Sequence, residues 1–508
     1  MAQRGPSRRL SAQDASFLYF EKKEAPLHIG SLAVFEGTVD YDRFVENVES
    51  KLHLIPLYQQ LAIPAPFNIS HPTWEWDQNF DIRKHIKRAT CPAPGDDQTL
   101  YDFAAELFAP ILDRDKPLWE MYVVDGIQGN RSALVSKVHH CLVDGVSGVE
   151  LFMLVMDVSP TPIPPSAPPE VEKPPPDPPL MRFLDGMLDN GMQVMNAAMD
   201  RQRNTVENLY GQGPARNSLR AVEAMLPYLQ VPVVRAPFNK PIRAGRKVAF
   251  SEYSFAEIRQ IRQQAGGGTV NDVVLTVLGG GIGKYLEMHG QTTSGRTIRV
   301  LAPVNVRRDE ERQSLGNRVS MLLIEVPVGV PDPLERLELV RKRTESLKRR
   351  QVADGIEGLG SGTNAAPAAL QAWLGSLPTA PNTLANMVCT NVPGPMIPLY
   401  TIGHRLLANY PLIPLGWEMG ISLGVMSYDQ KLYFGFMSDA QHGSDVQRLK
   451  EFSDQAYVEL RNAAGIDKSD LPQLGVNAAP APKATANGTP RRRRATPSEA
   501  QAMAADAS

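Results

Sequence analysis

A run of prolines interrupts the chain near its middle. In residues 159–179, SPTPIPPSAPPEVEKPPPDPP, about half of the positions are proline. Proline has no backbone N–H and fixes φ, so this segment predicts an extended linker with polyproline character. Because 508 residues are also too many for one hydrophobic core, we expect one folded block on each side of the linker.

The composition is that of an ordinary soluble globular protein. Hydrophobic residues make up 43% and charged residues 21%, and the net charge of −2 gives no general attraction to nucleic acid. The widely spaced Cys91, Cys141 and Cys389 form neither a disulfide framework nor a zinc pattern. The sequence contains no run of 18 apolar residues and so predicts no transmembrane helix. Any membrane contact is therefore expected to be peripheral.

Strand-like and helix-like segments alternate on both sides of the linker and predict a mixed α/β fold. From these segments we expect a flexible leader, an N-terminal lobe, the linker, a helical connector, a C-terminal lobe and a disordered tail. Their predicted bounds are 1–10, 11–158, 159–179, 180–240, 241–466 and 467–508.

The connector begins with an amphipathic pattern. Large apolar residues recur at spacings of three and four, which is typical of one helix face. They are Met181, Leu184, Leu188, Met192, Met195 and Met199. Such a face either packs on its own protein or contacts lipid and acyl chains, since methionine surfaces adapt to varied apolar partners.

The segment SKVHHCLVDGVSG contains the residues with the most chemical potential, His139, His140, Asp144 and Gly145. Adjacent histidines on a strand point to opposite faces, so they rarely bind one metal ion. No G-x-S-x-G elbow is present, and Cys141 lies in an apolar setting without a distinct partner.

A single histidine acting as general base fits this segment better. Neutral imidazole is available near pH 7 to take a proton from an alcohol. We expect His139 to point into the protein and His140 into a cavity, with Asp144 and Gly145 shaping the following turn. Taken alone, however, the same pattern is more often structural than catalytic.

Nine segments together resemble a known family. They occur in the family's order: LSAQDASFLYFE, PLHIG, PLWEMYVVDGI, HHCLVDGVSG, TVNDVVLTVLGGGI, PVNVRR, GNRVSMLLIEVPV, NVPGP and PLYTIG. The chain is similar, from about residue 10 to residue 465, to bacterial wax ester synthases/diacylglycerol acyltransferases. These belong to the CoA-dependent acyltransferase superfamily, with chloramphenicol acetyltransferases and peptide-synthetase condensation domains, whose motif is HHxxxDG.

The resemblance implies a fold and a reaction. The fold is two chloramphenicol-acetyltransferase-like lobes, each a mixed sheet flanked by helices, with an active-site tunnel between them. The reaction transfers a long-chain acyl group from acyl-CoA to diacylglycerol or to a fatty alcohol, with both substrates bound together and no cofactor. His140 is implied as the general base, with His139 and Gly145 beside it.

The resemblance also implies supporting residues around the motif. Asp144 is expected to make a structural ion pair with Arg307 or Arg308 behind the site. Asn271 and Asp272 match the family's Asn-Asp motif. Asn271 is expected to donate its amide toward the thioester oxygen or orient substrate, to cap the helix that follows, or to do both.

Trp119 and Gly394 are expected to shape the site rather than to take part in chemistry. Trp119 lies in PLW and predicts a buried anchor, and Gly394 lies between two prolines and predicts a fixed turn near the tunnel.

Two other functions stay open at this point. One is acyl transfer to a different hydroxyl or amine, and the other is a non-catalytic protein that binds lipid inclusions. The expected location is cytoplasmic, peripheral at the inner membrane surface or on lipid droplets, and the oligomeric state is not predicted.

Overall fold

A computed structural model gives the fold of the chain. It describes residues 9–143, 152, 155–161, 173–209, 233–305, 319–349, 368–377, 384–416 and 418–468. The segment VSGVELFMLVMDV after the two histidines, which has the pattern of a buried helix, and the proline-rich linker lie partly outside these residues.

Helices and strands alternate along the described chain. The helices are α1 (Ala12–Phe20), α2 (Tyr41–Lys51), α3 (Asp97–Phe108), α4 (Pro179–Leu209), α5 (Phe255–Gln264), α6 (Val270–Met288), α7 (Pro333–Arg349), α8 (Ala368–Ser376) and α9 (Val446–Ala463). The strands of the N-terminal half are β1 (His28–Glu36), β2 (Gln60–Ile63), β3 (Thr73–Trp76), β4 (Ile86–Thr90), β5 (Trp119–Ile127) and β6 (Arg131–His139). Those of the C-terminal half are β7 (Arg246–Ser254), β8 (Thr297–Asn305), β9 (Val319–Pro327), β10 (Met387–Val392), β11 (Tyr400–Thr401), β12 (His404–Leu412), β13 (Ile421–Tyr428) and β14 (Lys431–Asp439).

Local sequence signals explain several of these elements. Ser11 caps α1 by accepting a hydrogen bond from the backbone N–H of Asp14, which is the helix start that their spacing predicts. Asp40 caps α2 in the same way. Phe44 and Val48 are four residues apart in α2, a spacing typical of one helix face, and both lie in the core.

The first sheet has the strand order β11-β12-β1-β6-β5-β4. β1 and β6 pair antiparallel with Ser31 opposite Ser136, whereas β4 and β5 run parallel. The sheet is therefore mixed, as predicted. One of its central strands, β6, leads directly into the two adjacent histidines.

Strand β12 connects the two halves of the chain. It was not predicted from the sequence, and it pairs antiparallel with β1, with Leu32 opposite Tyr410. The C-terminal half thus supplies β11 and β12 to the first sheet. The boundary predicted at the proline-rich linker therefore does not fully separate the two sheets.

The second sheet has the order β7-β14-β13-β10-β8-β9, with β10 parallel to both β8 and β13. Helices α6 and α9 pack together beside this sheet. Their contact depends on the glycine run in α6, because a Cβ atom added at Gly281 would lie 2.3 Å from Oγ of Ser453. The run therefore permits a close approach of two helices.

Helix α4 confirms the amphipathic helix predicted after the linker. Its first half is attached to the protein by polar contacts, because Arg182 lies 3.3 Å from Glu75, and Asp189 lies 3.0 Å from Arg9. Many of the large apolar side chains that the structure describes in this helix are exposed. Met187 is 56% exposed and Leu188 67% exposed. No helix within the described ranges has the length and apolar character needed to cross a bilayer.

Candidate active site

His140 lies just past the end of β6. Its backbone N–H donates to the carbonyl of Leu27 at 2.9 Å, which extends the ladder between β1 and β6 by one residue. Its imidazole stacks on the ring of Phe17, with centroids 4.1 Å apart and planes within 8°. Helix α1 and the sheet therefore fix this ring from two directions.

His139 is fully buried on the opposite side of the strand. Its backbone N–H donates to the carbonyl of Leu118 at 2.9 Å. Its Nδ1 accepts a hydrogen bond from the backbone N–H of Cys141 at 3.1 Å. A neutral ring that accepts at Nδ1 carries its hydrogen on Nε2. His139 thus anchors the backbone on both sides of His140.

The thiol of Cys141 is unsuited to covalent catalysis. Cys141 is buried, and this burial raises the pKa of its thiol well above the usual value. A thiol of this kind stays protonated at neutral pH, whereas thiolate is the nucleophilic form. The residue next to the candidate base is therefore a packing residue.

A mostly apolar cavity of about 100 Å³ lies against the first sheet, where residues of β6 just before His140 line it. Strand alternation places the side chains of Ser136, Val138 and His140 on one face, and Ser136 and Val138 line the cavity. Further lining residues come from both halves of the chain and include Ile29, Tyr58, Met121, Pro395, Asn409 and Met426. The cavity offers apolar contacts suited to a hydrocarbon chain.

Trp119 forms one wall of this cavity. It is 1% exposed, and its indole N–H donates to the carbonyl of Tyr58 at 2.8 Å. The ring of His85 stacks on it at 4.6 Å. The structure therefore places Trp119 both in the core and at the cavity surface.

Gly394 lies in a turn next to the cavity residue Pro395. Its N–H donates to Oγ of Ser427 at 2.9 Å. A Cβ atom at this position would lie 2.3 Å from the carbonyl oxygen of Ser427. The turn thus needs a residue without a side chain so that the two segments can approach closely.

Asn271 and Asp272 lie in the first turn of α6 and differ in environment. Asp272 is 2% exposed and forms a reciprocal capping pair with Thr269, the N-cap residue. Its carboxylate also accepts a hydrogen bond from Thr344 at 2.7 Å. The half-buried Asn271 is not the N-cap, so the capping alternative predicted for it is wrong. Its side chain makes no hydrogen bond to the described residues.

The predicted ion pair of Asp144 with Arg307 or Arg308 lies outside the described residues, as does Gly145. One part of the site was missed from the sequence, namely the cavity wall formed by Asn409 of β12 and Met426 of β13. The apolar run HRLLANYPL was the signal that would have identified β12.

Family models match most of the chain. Residues 10–274 match the model described as the wax ester synthase/diacylglycerol acyltransferase catalytic domain. Residues 315–461 match the WS/DGAT C-terminal domain.

Similar curated proteins include two from Mycobacterium tuberculosis. The chain is 28% identical to the probable diacylglycerol O-acyltransferase tgs1, over 89% of this chain and 95% of that protein. It is 29% identical to the probable diacylglycerol O-acyltransferase tgs2, over 89% of this chain and 98% of that protein.

Solved structures with the same fold include a wax ester synthase/diacylglycerol acyltransferase from Marinobacter aquaeolei VT8. It has a TM-score of 0.60 and 23% identity and covers 90% of this chain and all of that one. The first condensation domain of the calcium-dependent antibiotic synthetase has a TM-score of 0.57 and 15% identity, over 91% of this chain and 97% of that one. The two-lobed fold predicted from the sequence is confirmed by these neighbours.

Proposed function

The chain belongs to the wax ester synthase/diacylglycerol acyltransferase family, and on that premise we propose that it esterifies a lipid alcohol with the acyl group of a long-chain acyl-CoA. The observation that carries the proposal is the position of His140, a fixed imidazole on the strand face that borders the apolar cavity. The relatives named as diacylglycerol O-acyltransferases support diacylglycerol as one acceptor.

His140 acts as the general base in the proposed reaction. Its neutral imidazole takes the proton of the acceptor hydroxyl, and the oxygen attacks the thioester carbonyl. The tetrahedral intermediate then collapses, the C–S bond breaks, and the imidazolium gives its proton to the departing CoA thiolate. This assistance contributes on the order of 10² to 10⁴ in rate. Transfer is direct, in a ternary complex, which agrees with the buried and protonated thiol of Cys141.

The acyl chain occupies the apolar cavity in this proposal. Val138 lines the cavity two residues before His140 on the same strand face, so a chain lying there would have its thioester end near the imidazole. Oγ of Ser31 and Oγ of Ser136 lie 3.2 Å apart in the wall and satisfy each other. They therefore add little cost to apolar binding.

Turnover with two acceptors tests the substrate assignment. Purified protein is given radiolabelled palmitoyl-CoA with either diacylglycerol or hexadecanol, and labelled ester is quantified. Labelled triacylglycerol, wax ester or both is expected. Acyl-CoA binding without labelled ester from either alcohol would favour a lipid-binding protein, and ester formed only with a different hydroxyl or amine would favour the other acceptor class.

The lipid acceptors require contact with an interface, and the outward face of α4 is the proposed contact. Met181, Leu184, Met192, Met195 and Met199 are each between 45% and 56% exposed. Isolated apolar side chains are common on surfaces, but a continuous stripe of them marks an interaction site. An amphipathic helix of this kind binds lipid reversibly.

Two neighbouring elements extend this apolar face. The short helix Pro66–Asn68 contacts both α4 and α8. Phe67 in that helix is 87% exposed, and Trp373 in α8 is 57% exposed. Aromatic side chains of this kind are suited to the boundary between lipid and water.

A double substitution on α4 tests the contact. Met192→Asp with Met195→Asp should reduce co-flotation with diacylglycerol-containing liposomes, while turnover of a short soluble alcohol persists. The matched control is Leu54→Asp with Ile111→Asp, which changes two exposed apolar residues outside α4. Equal flotation of both folded variants and the parent protein would place the lipid contact elsewhere.

A further inference from the structure

Glu21 is a buried acid at the end of α1 that the reaction described above does not use. Its side chain is 1% exposed. The carboxylate accepts a hydrogen bond from the backbone N–H of Leu27 at 2.9 Å and another from the Arg114 guanidinium at 3.0 Å. Oε1 also lies 3.4 Å from Nε2 of His139. Three separate parts of the chain therefore meet at one carboxylate.

The hydrogen bond from Cys141 to the His139 ring determines which ring nitrogen carries the hydrogen, and therefore which group Glu21 faces. Because Nδ1 accepts from the N–H of Cys141, the ring hydrogen is on Nε2, the atom that lies 3.4 Å from Oε1 of Glu21. A carboxylate at this position favours the Nε2–H tautomer. The other tautomer would place an N–H at Nδ1, opposite the N–H of Cys141.

Glu21 also holds the strand that pairs with His140. Leu27 donates its N–H to Glu21, and its carbonyl accepts the backbone N–H of His140 at 2.9 Å. The two residues adjoining His140 along the chain, His139 and Cys141, belong to the same network. One carboxylate therefore reaches the backbone of His140 by two independent routes.

We propose that Glu21 is a positioning residue for catalysis, which sets the tautomer of His139 and thereby fixes the peptide that carries His140. The inference rests on the proposed role of His140 as the base. It assigns no proton transfer to Glu21, which touches neither substrate nor the reacting atoms. Its effect is geometric, because small displacements of a catalytic group lower the rate strongly.

The Glu21 carboxylate stays ionised over the pH range in which enzymes normally work. Burial alone would raise the pKa of this carboxyl. The neighbouring His139, the Leu27 amide and the Arg114 guanidinium outweigh burial and lower that pKa from 4.5 to about 2. The carboxylate is therefore ionised at neutral pH and available as an acceptor for Nε2–H of His139.

Glu21→Gln tests the inference with little change in volume. We expect kcat to fall roughly ten- to hundred-fold, with KM for palmitoyl-CoA unchanged within about twofold since no substrate contact is lost. In ¹⁵N spectra of histidine-labelled protein, His139 should change from a single Nε2–H form to a mixture, because glutamine offers either an oxygen or an NH₂ group. Glu24→Gln, at an exposed acid three residues away, should leave kcat and the spectrum unchanged.

A second variant approaches the same network from the other side. Asparagine at position 139 keeps an oxygen near the place of Nδ1 to accept from Cys141, but its NH₂ group ends short of the Nε2 position that faces Glu21 in the imidazole. His139→Asn should lower kcat about as much as Glu21→Gln, and the double variant should lose little more than either one, because both break one link. Even if Glu21→Gln does not fold, the kcat of His139→Asn still tests the link between His139 and Glu21. Losses that multiply in the double variant would contradict the link.

His140→Ala separates this inference from the proposed function. If His140→Ala is inactive while folded Glu21→Gln keeps kcat within twofold and a single His139 tautomer, Glu21 is not a positioning residue and the base assignment is untouched. If His140→Ala itself keeps normal turnover, the proposed function fails first. The inference is supported by an inactive His140→Ala together with a kcat loss and a mixed tautomer in Glu21→Gln.

Discussion

Replacement of Asp272 by alanine should destabilise the protein without a specific effect on chemistry. The carboxylate of Asp272 accepts hydrogen bonds from the N–H and the hydroxyl of Thr269 at 2.7 and 2.8 Å, and from the hydroxyl of Thr344 at 2.7 Å. All three are lost in Asp272→Ala. They hold the first turn of α6, a helix that lies almost entirely within the core of the second sheet.

The size of the loss follows from these contacts. Removal of a helix cap costs about 1 kcal/mol, and a buried donor left without its acceptor costs about 1–3 kcal/mol. Thr344 has a second acceptor in the carbonyl of Arg341 at 2.9 Å, so its hydroxyl adds little. The expected decrease in the free energy of unfolding is therefore about 2–4 kcal/mol.

The neighbouring Asn271 gives the matched control. Urea unfolding of Asp272→Ala should show the predicted loss of stability, and kcat measured well below its unfolding transition should stay near that of the parent protein. Asn271→Ala should change stability by less than about 0.5 kcal/mol. If its amide donates to the thioester oxygen, kcat should fall by on the order of 10² to 10³. Unchanged stability of Asp272→Ala would refute the capping argument.

Three further predictions concern acid stability, the cavity wall and the turn beside it. Burial lowers the pKa of His28 from 6.5 to about 3, so the unfolded chain takes up a proton that the folded protein refuses. As the pH is lowered from 6.5 to about 3, the free energy of unfolding should therefore fall by up to about 1.4 kcal/mol per pH unit. The urea midpoint of His28→Gln should depend less steeply on pH than that of the parent protein. An equal slope in the two proteins would contradict this. Trp119→Phe leaves the Tyr58 carbonyl without its donor, so the free energy of unfolding in urea should fall by about 1–3 kcal/mol. The smaller side chain should also enlarge the cavity and shift the acyl preference toward bulkier chains. Unchanged stability would contradict a stabilising role of the hydrogen bond. Gly394→Ala should destabilise by more than about 1 kcal/mol, since its Cβ has no room, and a stable variant would show that the turn relaxes easily.

Local patterns in the sequence predicted the elements that local interactions determine. The Ser11 and Asp14 pair is a helix-start signal and lies at the start of α1, and the four-residue spacing of Phe44 and Val48 is typical of the core face that they form in α2. The apolar run Ala133, Leu134 and Val135 in RSALVSKVHH indicates a strand that leads into the histidines, and β6 ends at His139. In each case the information lies within a few residues of the element.

Contacts between distant segments could not be predicted in this way. Glu21 and His139 belong to different elements, and nothing near either residue indicates that their side chains lie 3.4 Å apart. The pairing of β12 with β1 has the same origin, because register across a sheet depends on the whole fold.

Exposure of a helix face also depends on tertiary structure. The period of α4 predicted which side is apolar, but a covered and an uncovered stripe have the same period. The structure leaves Met192 and Met195 exposed by 54% and 56%. In contrast, the capping pair of Thr269 and Asp272 depends on residues three apart in the sequence, and Asn271, for which a capping role was one of two alternatives, is not the cap.

Turnover of His140→Ala tests the proposed mechanism most directly. The folded variant is first saturated with labelled palmitoyl-CoA. It is then mixed with diacylglycerol or hexadecanol, whichever the parent protein esterifies faster, and labelled ester is followed through a single turnover. Loss of the base should slow ester formation by at least about 10²-fold, with acyl-CoA binding and the unfolding transition retained. Ester formation at the rate of the parent protein would contradict the assignment of His140 as the general base.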